Sequence, residues 1–311
     1  MNLKTFASGL KPQLIFLFLF LVISANLASA QTPLTALDYT VKGLEHFERE
    51  EYTRAIADLS KAIQLQPSEK LYAVRGIAYR LLGHYDSAIL DLTKAIELNP
   101  RGEGNYQNRG IAYLDQEKYS LAVADFSKVI QLNPKYIDAY IFRGMNNDKL
   151  GDFSLAIDDY TKAIQLDPQS FNAFHQRGLV YDKLNENNLA INDFTKVIKL
   201  NPTFADSYFY RAAVYDKEQN GDLAIVDLNK FIQLKNKSAS GYTARGIIYF
   251  KQRNYDSAIS DFTKAIQLEP TYSQAYARRA WTYCRQGKKD LALADEKKVI
   301  LLGDKLQMKC Q

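Results

Sequence analysis

The sequence predicts an all-α protein built from tandem helical hairpins, because three residue patterns recur in phase along it. An Arg-Gly or Arg-Ala dipeptide returns every 34 residues, with its arginines at Arg75, Arg109, Arg143, Arg177, Arg211, Arg245 and Arg279. An alanine returns in phase with it at Ala55, Ala88, Ala122, Ala156, Ala190, Ala224, Ala258 and Ala292, and a proline at Pro67, Pro100, Pro134, Pro168, Pro202 and Pro270. Self-similarity at a fixed period of about 20–50 residues is typical of stacked repeat proteins.

The first thirty residues are a segment distinct from the repeats. Lys4 and Lys11 provide a basic start, residues 14–23 are continuously apolar, and residues 28–30 (Ala-Ser-Ala) place small side chains where a signal peptidase cleaves. This order predicts a secretory signal peptide over residues 1–30. The apolar run falls short of the about 20 residues that a membrane span needs, and an uncleaved N-terminal anchor is the alternative.

The predicted export places the mature chain in a periplasmic, lumenal or extracellular compartment, or leaves it tethered to a membrane if the anchor is retained. The formal net charge of +5 falls to +3 once Lys4 and Lys11 are removed. So balanced a charge predicts no nucleic-acid partner and no anionic membrane surface. No later apolar run predicts a membrane span. A disulfide between Cys284 and Cys310 is permitted outside the cytoplasm; two free thiols are the alternative that we favour, because the geometry must allow the bond.

Residues 69–102 show how one repeat begins. Tyr72, Gly76 and Tyr79 follow the i, i+4, i+7 spacing of one face of a first helix. Gly83 comes next and is the kind of residue that ends a helix.

A second helix completes this repeat. Ala88, Leu92 and Ala95 share its apolar face. Pro100 ends it, because the residue before a proline is displaced from the helical region. Gly76 and Ala88 are small, so we expect the two helices to approach closely there. Each repeat is therefore predicted to be a helical hairpin.

This order of residues resembles the tetratricopeptide repeat (TPR) family, whose pattern is an aromatic, a small residue, a second aromatic, alanine, a bulky residue, alanine and proline. Tyrosine stands here where the family usually has tryptophan. The resemblance covers residues 36–304 and implies a right-handed superhelical α-solenoid of about eight helix-turn-helix repeats, followed by a tail at 305–311. The predicted repeats are 36–68, 69–102, 103–136, 137–170, 171–204, 205–238, 239–272 and 273–304.

Some repeats depart from this pattern. His46 stands at the second aromatic position of the first repeat, Asn147 replaces that aromatic in the fourth, and Glu296 occupies an otherwise apolar position in the eighth. An open stack needs polar outer faces at its ends. We therefore expect the terminal repeats to act as caps.

Two charged series run through the repeats. The arginine of each dipeptide forms one, and the other is aspartate at Asp58, Asp91, Asp125, Asp159, Asp193, Asp227, Asp261 and Asp295. Either series could bind an ion or a charged ligand. The favoured interpretation is that arginine and aspartate pair within or between neighbouring repeats, because partly buried charges are normally paired.

In the TPR family the first helices line a concave groove that binds a protein or peptide. By that resemblance, the predicted partner-binding groove consists of Ile77, Gln107, Ile111, Ile141, Met145, Asp148, His175, Leu179, Asp182, Phe209, Asp216, Ile247 and Trp281. Its apolar floor and central row of three aspartates suit a peptide or helix with apolar anchors and some basic charge. The alternative is that part of this line packs against the neighbouring first helix and binds nothing.

Enzymatic motifs are not found in the sequence. His46, His84 and His175 lie in three different repeats, and none has a second His or a Cys at metal-ligand spacing. No glycine-rich phosphate loop and no nucleophile elbow occurs. We therefore predict no catalysis, no metal and no cofactor. The leading hypothesis is a scaffold for an unidentified protein or peptide partner; the alternatives are a structural or self-associating envelope component and a regulator of enzymes that act on envelope polymers.

Overall fold

The computed structural model describes residues 33–305, which form sixteen α-helices and no strand. The helices are Ala36–Glu48 (α1), Tyr52–Leu65 (α2), Glu69–Leu81 (α3), Tyr85–Leu98 (α4), Glu103–Asp115 (α5), Tyr119–Leu132 (α6), Ile137–Leu150 (α7), Phe153–Leu166 (α8), Phe171–Lys183 (α9), Asn187–Leu200 (α10), Ala205–Lys217 (α11), Gly221–Leu234 (α12), Ala239–Lys251 (α13), Tyr255–Leu268 (α14), Ser273–Arg285 (α15) and Lys289–Leu301 (α16). One pair falls inside each predicted repeat, and the predicted all-α tandem-hairpin fold is confirmed. The signal peptide predicted over residues 1–30 lies outside the described residues.

The chain divides into two compact units, residues 1–67 and 68–311. The described part of the first unit is the hairpin of α1 and α2, and that of the second unit is the seven hairpins from α3 to α16. Within the second unit each helix packs against the next one in the chain, so the second helix of each repeat except the last contacts the first helix of its own repeat and that of the following repeat. A repeat in the middle of this unit therefore buries apolar surface both within its own hairpin and against its two neighbours.

Each hairpin turns on one residue whose φ is positive. These residues are Glu50, Gly83, Glu117, Gly151, Asn185, Gln219, Arg253 and Gly287, with φ between 58° and 86°. The helix end predicted at Gly83 is confirmed. Only three of the eight residues are glycine, although a side chain makes this left-handed conformation costly. Locating the turns from the glycines of the sequence would therefore have missed five of the eight.

Seven of the eight second helices, all except α16, end at one residue with an extended backbone. Asn99, just before Pro100, has φ −138° and ψ 86°. Lys235 ends α12 in a similar conformation, with φ −126° and ψ 66°, although no proline follows it. Its Nζ donates a hydrogen bond to Asp206 Oδ1 at 2.5 Å. Where the proline is missing, the residue that ends α12 thus contacts α11, the first helix of the same repeat.

The predicted close approach of the two helices in a hairpin is confirmed. A Cβ atom on Gly144 would lie 2.8 Å from Tyr160 Cε1, and one on Gly178 would lie 2.9 Å from Phe194 Cε1. Tyr160 and Phe194 are fully buried. The recurring small residue of each first helix therefore makes room for the large apolar residue of the second helix.

Two of the sequence-based expectations concern the C-terminal cysteines and membrane spans. Cys284 is disulfide-bonded, so the free-thiol alternative favoured above is wrong for this residue; Cys310 lies outside the described residues. Of the helices in residues 33–305, none is both long and apolar enough to cross a membrane.

Candidate functional site

The arginine and aspartate series pair inside each repeat from the second to the eighth, as the favoured interpretation predicts. In the fifth repeat Arg177 donates from Nε to Asp193 Oδ2 at 2.8 Å and from Nη2 to Asp193 Oδ1 at 2.9 Å. The same bidentate hydrogen bonding joins Arg75 to Asp91, Arg109 to Asp125, Arg143 to Asp159, Arg211 to Asp227, Arg245 to Asp261 and Arg279 to Asp295. Their geometry is the planar fork that arginine offers a carboxylate.

The third nitrogen of these arginines links neighbouring repeats. Arg177 Nη1 donates to Thr161 Oγ1 of the preceding repeat at 2.9 Å. Equivalent bonds run from Arg109 to Thr93, Arg143 to Ser127, Arg211 to Thr195, Arg245 to Asn229 and Arg279 to Thr263. Each of these six arginines thus joins two repeats, and its charge is neutralised inside the stack. This arrangement gives the two series a structural role.

Aromatic side chains enclose the guanidinium groups. The Arg177 guanidinium lies 5.6 Å from the ring centroid of Phe174 and 5.7 Å from that of Tyr181. The hydrogen bonds to Asp91 raise the pKa of Arg75, although burial opposes them. The paired aromatics of the repeat therefore act partly as cation–π partners, a role that the sequence analysis did not identify.

The fourth repeat keeps its ion pair without the second aromatic. Asn147, at that position, donates from Nδ2 to Asp159 Oδ2 at 3.2 Å. In the first unit, Lys42 stands at the arginine position, and His46 Nε2 lies 3.6 Å from Asp58 Oδ2. Both substitutions give the carboxylate of the repeat a polar neighbour.

The predicted central acidic row is neutralised. Lys183 Nζ lies 2.6 Å from Asp148 Oδ1, and the same arrangement joins Lys217 to Asp182 at 2.6 Å and Lys251 to Asp216 at 2.7 Å. Every lysine belongs to the first helix of the following repeat. Each of these carboxylates is therefore already paired with a lysine, and its role in binding a basic partner stays a prediction.

Four of the predicted groove residues are buried, namely Gln107, Ile111, Ile141 and His175. Gln107 Oε1 accepts a hydrogen bond of 2.8 Å from the hydroxyl of Tyr136, which precedes the next first helix. Phe209 is half-buried, with its ring centroid 5.0 Å from that of Phe231. These residues take part in packing, and their role in partner binding stays a prediction.

The other apolar members of the predicted groove keep solvent-accessible surface. Ile77, Met145, Leu179 and Ile247 are half-buried, and Trp281 is 39% exposed. Each follows the recurring small residue of a first helix. Ile247 and Trp281 also line one cavity of about 210 Å³ between the seventh and eighth repeats. Their role in partner binding stays a prediction.

His175 is held neutral by its surroundings. Its ring lies 5.0 Å from the ring of Phe204 and 5.8 Å from that of Phe194, and its Nδ1 lies 3.0 Å from Ser207 Oγ. Burial lowers the pKa of His175 from 6.5 to about 4, although the nearby Asp206 carboxylate opposes the shift. The imidazole therefore does not provide a charge at neutral pH.

This shift predicts a pH-dependent stability. Between pH 6.5 and pH 4 His175 is protonated in the unfolded chain but stays neutral in the folded chain. The free energy of unfolding is therefore highest above pH 6.5 and decreases as the pH falls toward 4. At about 1.4 kcal/mol per pKa unit the loss reaches about 3 kcal/mol. Urea unfolding between pH 7 and pH 4 should therefore show a shallower loss for His175→Gln than for wild type. The exposed His84 gives the control, His84→Gln, which should follow wild type; parallel curves for all three proteins would contradict the assignment.

In the described part of the chain, no three His, Cys, Asp or Glu side chains are grouped so that they could hold a metal ion.

Profiles of known protein families match the repeated region of the sequence. Profiles described as Tetratricopeptide repeat match residues 69–101, 106–136, 171–204, 239–272 and 262–294, and one described as TPR repeat matches residues 149–185. Together the matches cover more than half of the chain. No curated protein matches the sequence.

Solved structures show the same architecture. The C-terminal part of a TPR repeat-containing protein from Cytophaga hutchinsonii has a TM-score of 0.63 at 22% identity, over 76% of this chain and 97% of that chain. MamA has a TM-score of 0.50 at 27% identity, over 51% of this chain and 94% of its own. YrrB, described as a TPR protein with an unusual peptide-binding site, has a TM-score of 0.50 at 23% identity, over 59% of this chain and 95% of its own.

Proposed function

The chain belongs to the tetratricopeptide repeat family, and from this premise we propose that it is an exported, non-enzymatic scaffold that holds a peptide or helix of a partner protein against its first helices. Proteins of this fold present a long surface made of equivalent positions in successive repeats. YrrB is a structurally similar protein whose description includes a peptide-binding site.

One observation carries the proposal: an accessible apolar line follows the recurring small residue of the first helices. It is made of Ile77, Met145, Leu179, Ile247 and Trp281, all half-buried or exposed. The arginines and aspartates that recur in the second to eighth repeats are bonded to one another, so they support the stack. The apolar line differs in side chain from repeat to repeat, which suits the recognition of one partner sequence.

The non-enzymatic part of the proposal is supported by the equivalence of the carboxylates. Asp193 and its counterparts in the other repeats of the second unit are each bonded to an arginine, so no single carboxylate is distinguished from the rest as a catalytic centre. His175 is buried and neutral.

Export is proposed from residues 1–30. The order of basic, apolar and small residues predicts cleavage after Ala30. The partner would then be met in a periplasmic, lumenal or extracellular compartment.

The surface itself is tested by site-specific photo-crosslinking in the native compartment. We expect benzoylphenylalanine in place of Ile77 or Leu179 to crosslink a partner protein, because these side chains lie on the apolar line. The controls place the same group at Leu155 and Leu189, which are exposed on second helices. Mass spectrometry of the crosslinked products identifies the partner and the N-terminus of the mature chain. If a partner is crosslinked only from positions 155 and 189, it binds the second helices, and the proposed first-helix surface is contradicted.

A further inference from the structure

We infer that the cavity between the seventh and eighth repeats binds an acidic peptide segment in which an apolar side chain is flanked by two carboxylates. The inference rests on the proposed function and names the chemistry of the partner. The cavity has a volume of about 210 Å³ and is lined by Ile247, Phe250, Phe262, Arg278, Trp281 and Arg285.

Four of the residues that line this cavity are apolar and can contact an apolar side chain of a ligand. Phe262 of α14 is fully buried, whereas Ile247 and Phe250 of α13 are half-buried. Trp281 of α15 is 39% exposed. A partly exposed tryptophan beside a cavity is the kind of residue that contributes most when a partner removes it from water. The occupant therefore has an apolar side chain that contacts the indole.

The rim of the cavity is basic and unpaired. Arg278 and Arg285 are both exposed, and among the described residues neither guanidinium group has an ion-pair partner. Arg279, the next residue after Arg278, is by contrast bonded to Asp295. Two free guanidinium groups beside an apolar cavity complement carboxylates on the occupant. This is the reverse of the partner charge expected from the sequence.

The spacing of the two arginines limits the ligand. Residues 278, 281 and 285 follow i, i+3 and i+7 spacing, so Trp281 lies between the two arginines on one helix face. The Cα atoms of Arg278 and Arg285 are about 10 Å apart along the helix, at about 1.5 Å per residue.

An extended peptide matches this spacing. Alternate side chains of an extended chain point the same way and lie about 7 Å apart. An Asp-x-apolar-x-Asp segment therefore presents its three key side chains on one face, with carboxylates about 13 Å apart, within reach of the long arginine side chains. A polyanion such as nucleic acid is not favoured, because the formal net charge of the chain is only +5.

The single tryptophan of the chain allows a direct test, since Trp281 reports on this cavity alone. The probe is the capped peptide Ser-Asp-Ser-Phe-Ser-Asp-Ser, titrated into the intact protein while the emission of Trp281 is followed. We expect a saturable shift, at least tenfold weaker affinity for the Arg278→Glu/Arg285→Glu protein, and no saturation with a peptide carrying Lys in place of Asp. The matched control is Arg101→Glu/Arg253→Glu, which makes the same change of net charge at exposed arginines elsewhere and should bind as wild type does. Circular dichroism checks that both double variants keep their helix content.

Three results would overturn the inference: no saturable shift with the acidic peptide, equal affinity of the two double variants, or saturable binding of a short oligothymidylate that competes with the peptide. The failure of this site is distinguishable from that of the proposed function. If crosslinking at positions 77 and 179 persists in the Arg278→Glu/Arg285→Glu protein while its peptide affinity equals that of the control, the scaffold function stands and the acidic-peptide site falls.

Discussion

The Asp193→Ala variant is expected to lose about 3–5 kcal/mol of its free energy of unfolding, because it leaves a largely buried cation without its partner. Asp193 is buried and accepts two hydrogen bonds from Arg177, whose side chain is 16% exposed. After the change, the guanidinium keeps only its bond to Thr161 of the preceding repeat. The methyl group of the new alanine accepts no hydrogen bond, and the cation–π contacts with the rings of Phe174 and Tyr181 are weaker than the two lost bonds to a carboxylate.

Urea unfolding at pH 7 measures this loss, and an exposed pair provides the control. Lys94 and Glu97 are 2.6 Å apart and both 55% exposed, so Glu97→Ala should alter the unfolding midpoint little. The double change Arg177→Met/Asp193→Leu removes both charges and should recover most of the stability, since well-packed apolar groups commonly replace a buried ion pair without cost. Equal losses for Asp193→Ala and Glu97→Ala would contradict the structural role of the pair.

The Ala156→Trp variant is expected to divide the second unit into separately unfolding parts. Ala156 is fully buried in the cluster that contains Tyr160, Ala163 and Ala173, so an indole ring has no room there. Overpacking of this kind costs about 1–3 kcal/mol, occasionally more, and we expect a loss at or above the upper end. Because the stability of a repeat array depends on contacts between neighbouring repeats, the damage should separate the repeats on either side of α8.

Hydrogen exchange read by mass spectrometry checks this result. Peptides from α7 and α8 should lose protection, while those from α4 to α6 and from α10 to α14 should retain most of theirs, and calorimetry should resolve two transitions. The control is Ser154→Trp, which places the same ring at an exposed position two residues away. Uniform loss of protection through the second unit of the Ala156→Trp protein would show instead that the array unfolds as one cooperative body.

The sequence alone was sufficient for the repeat architecture, because its markers report interactions within a single hairpin. Gly144 faces Tyr160 sixteen residues later, Pro100 follows the end of α4, and Arg177 bonds to Asp193 across one turn. Such contacts recur at the same spacing in each copy, so their residue types recur as well. The pairing of the charged series could be inferred for this reason.

Which first-helix side chains remain accessible was decided only by the tertiary structure. His175 and Trp281 both belong to the predicted groove, yet His175 is buried while Trp281 borders a cavity. Burial at these positions depends on the side chains of the next repeat, which vary from copy to copy and leave no periodic signal. The pairing of Asp148 with Lys183 does recur in the next two repeats, but only the packing of adjacent first helices shows that the two charges lie 2.6 Å apart. Recurring residues thus determine the hairpin and its stack, whereas the accessible surface follows from contacts between unlike neighbours.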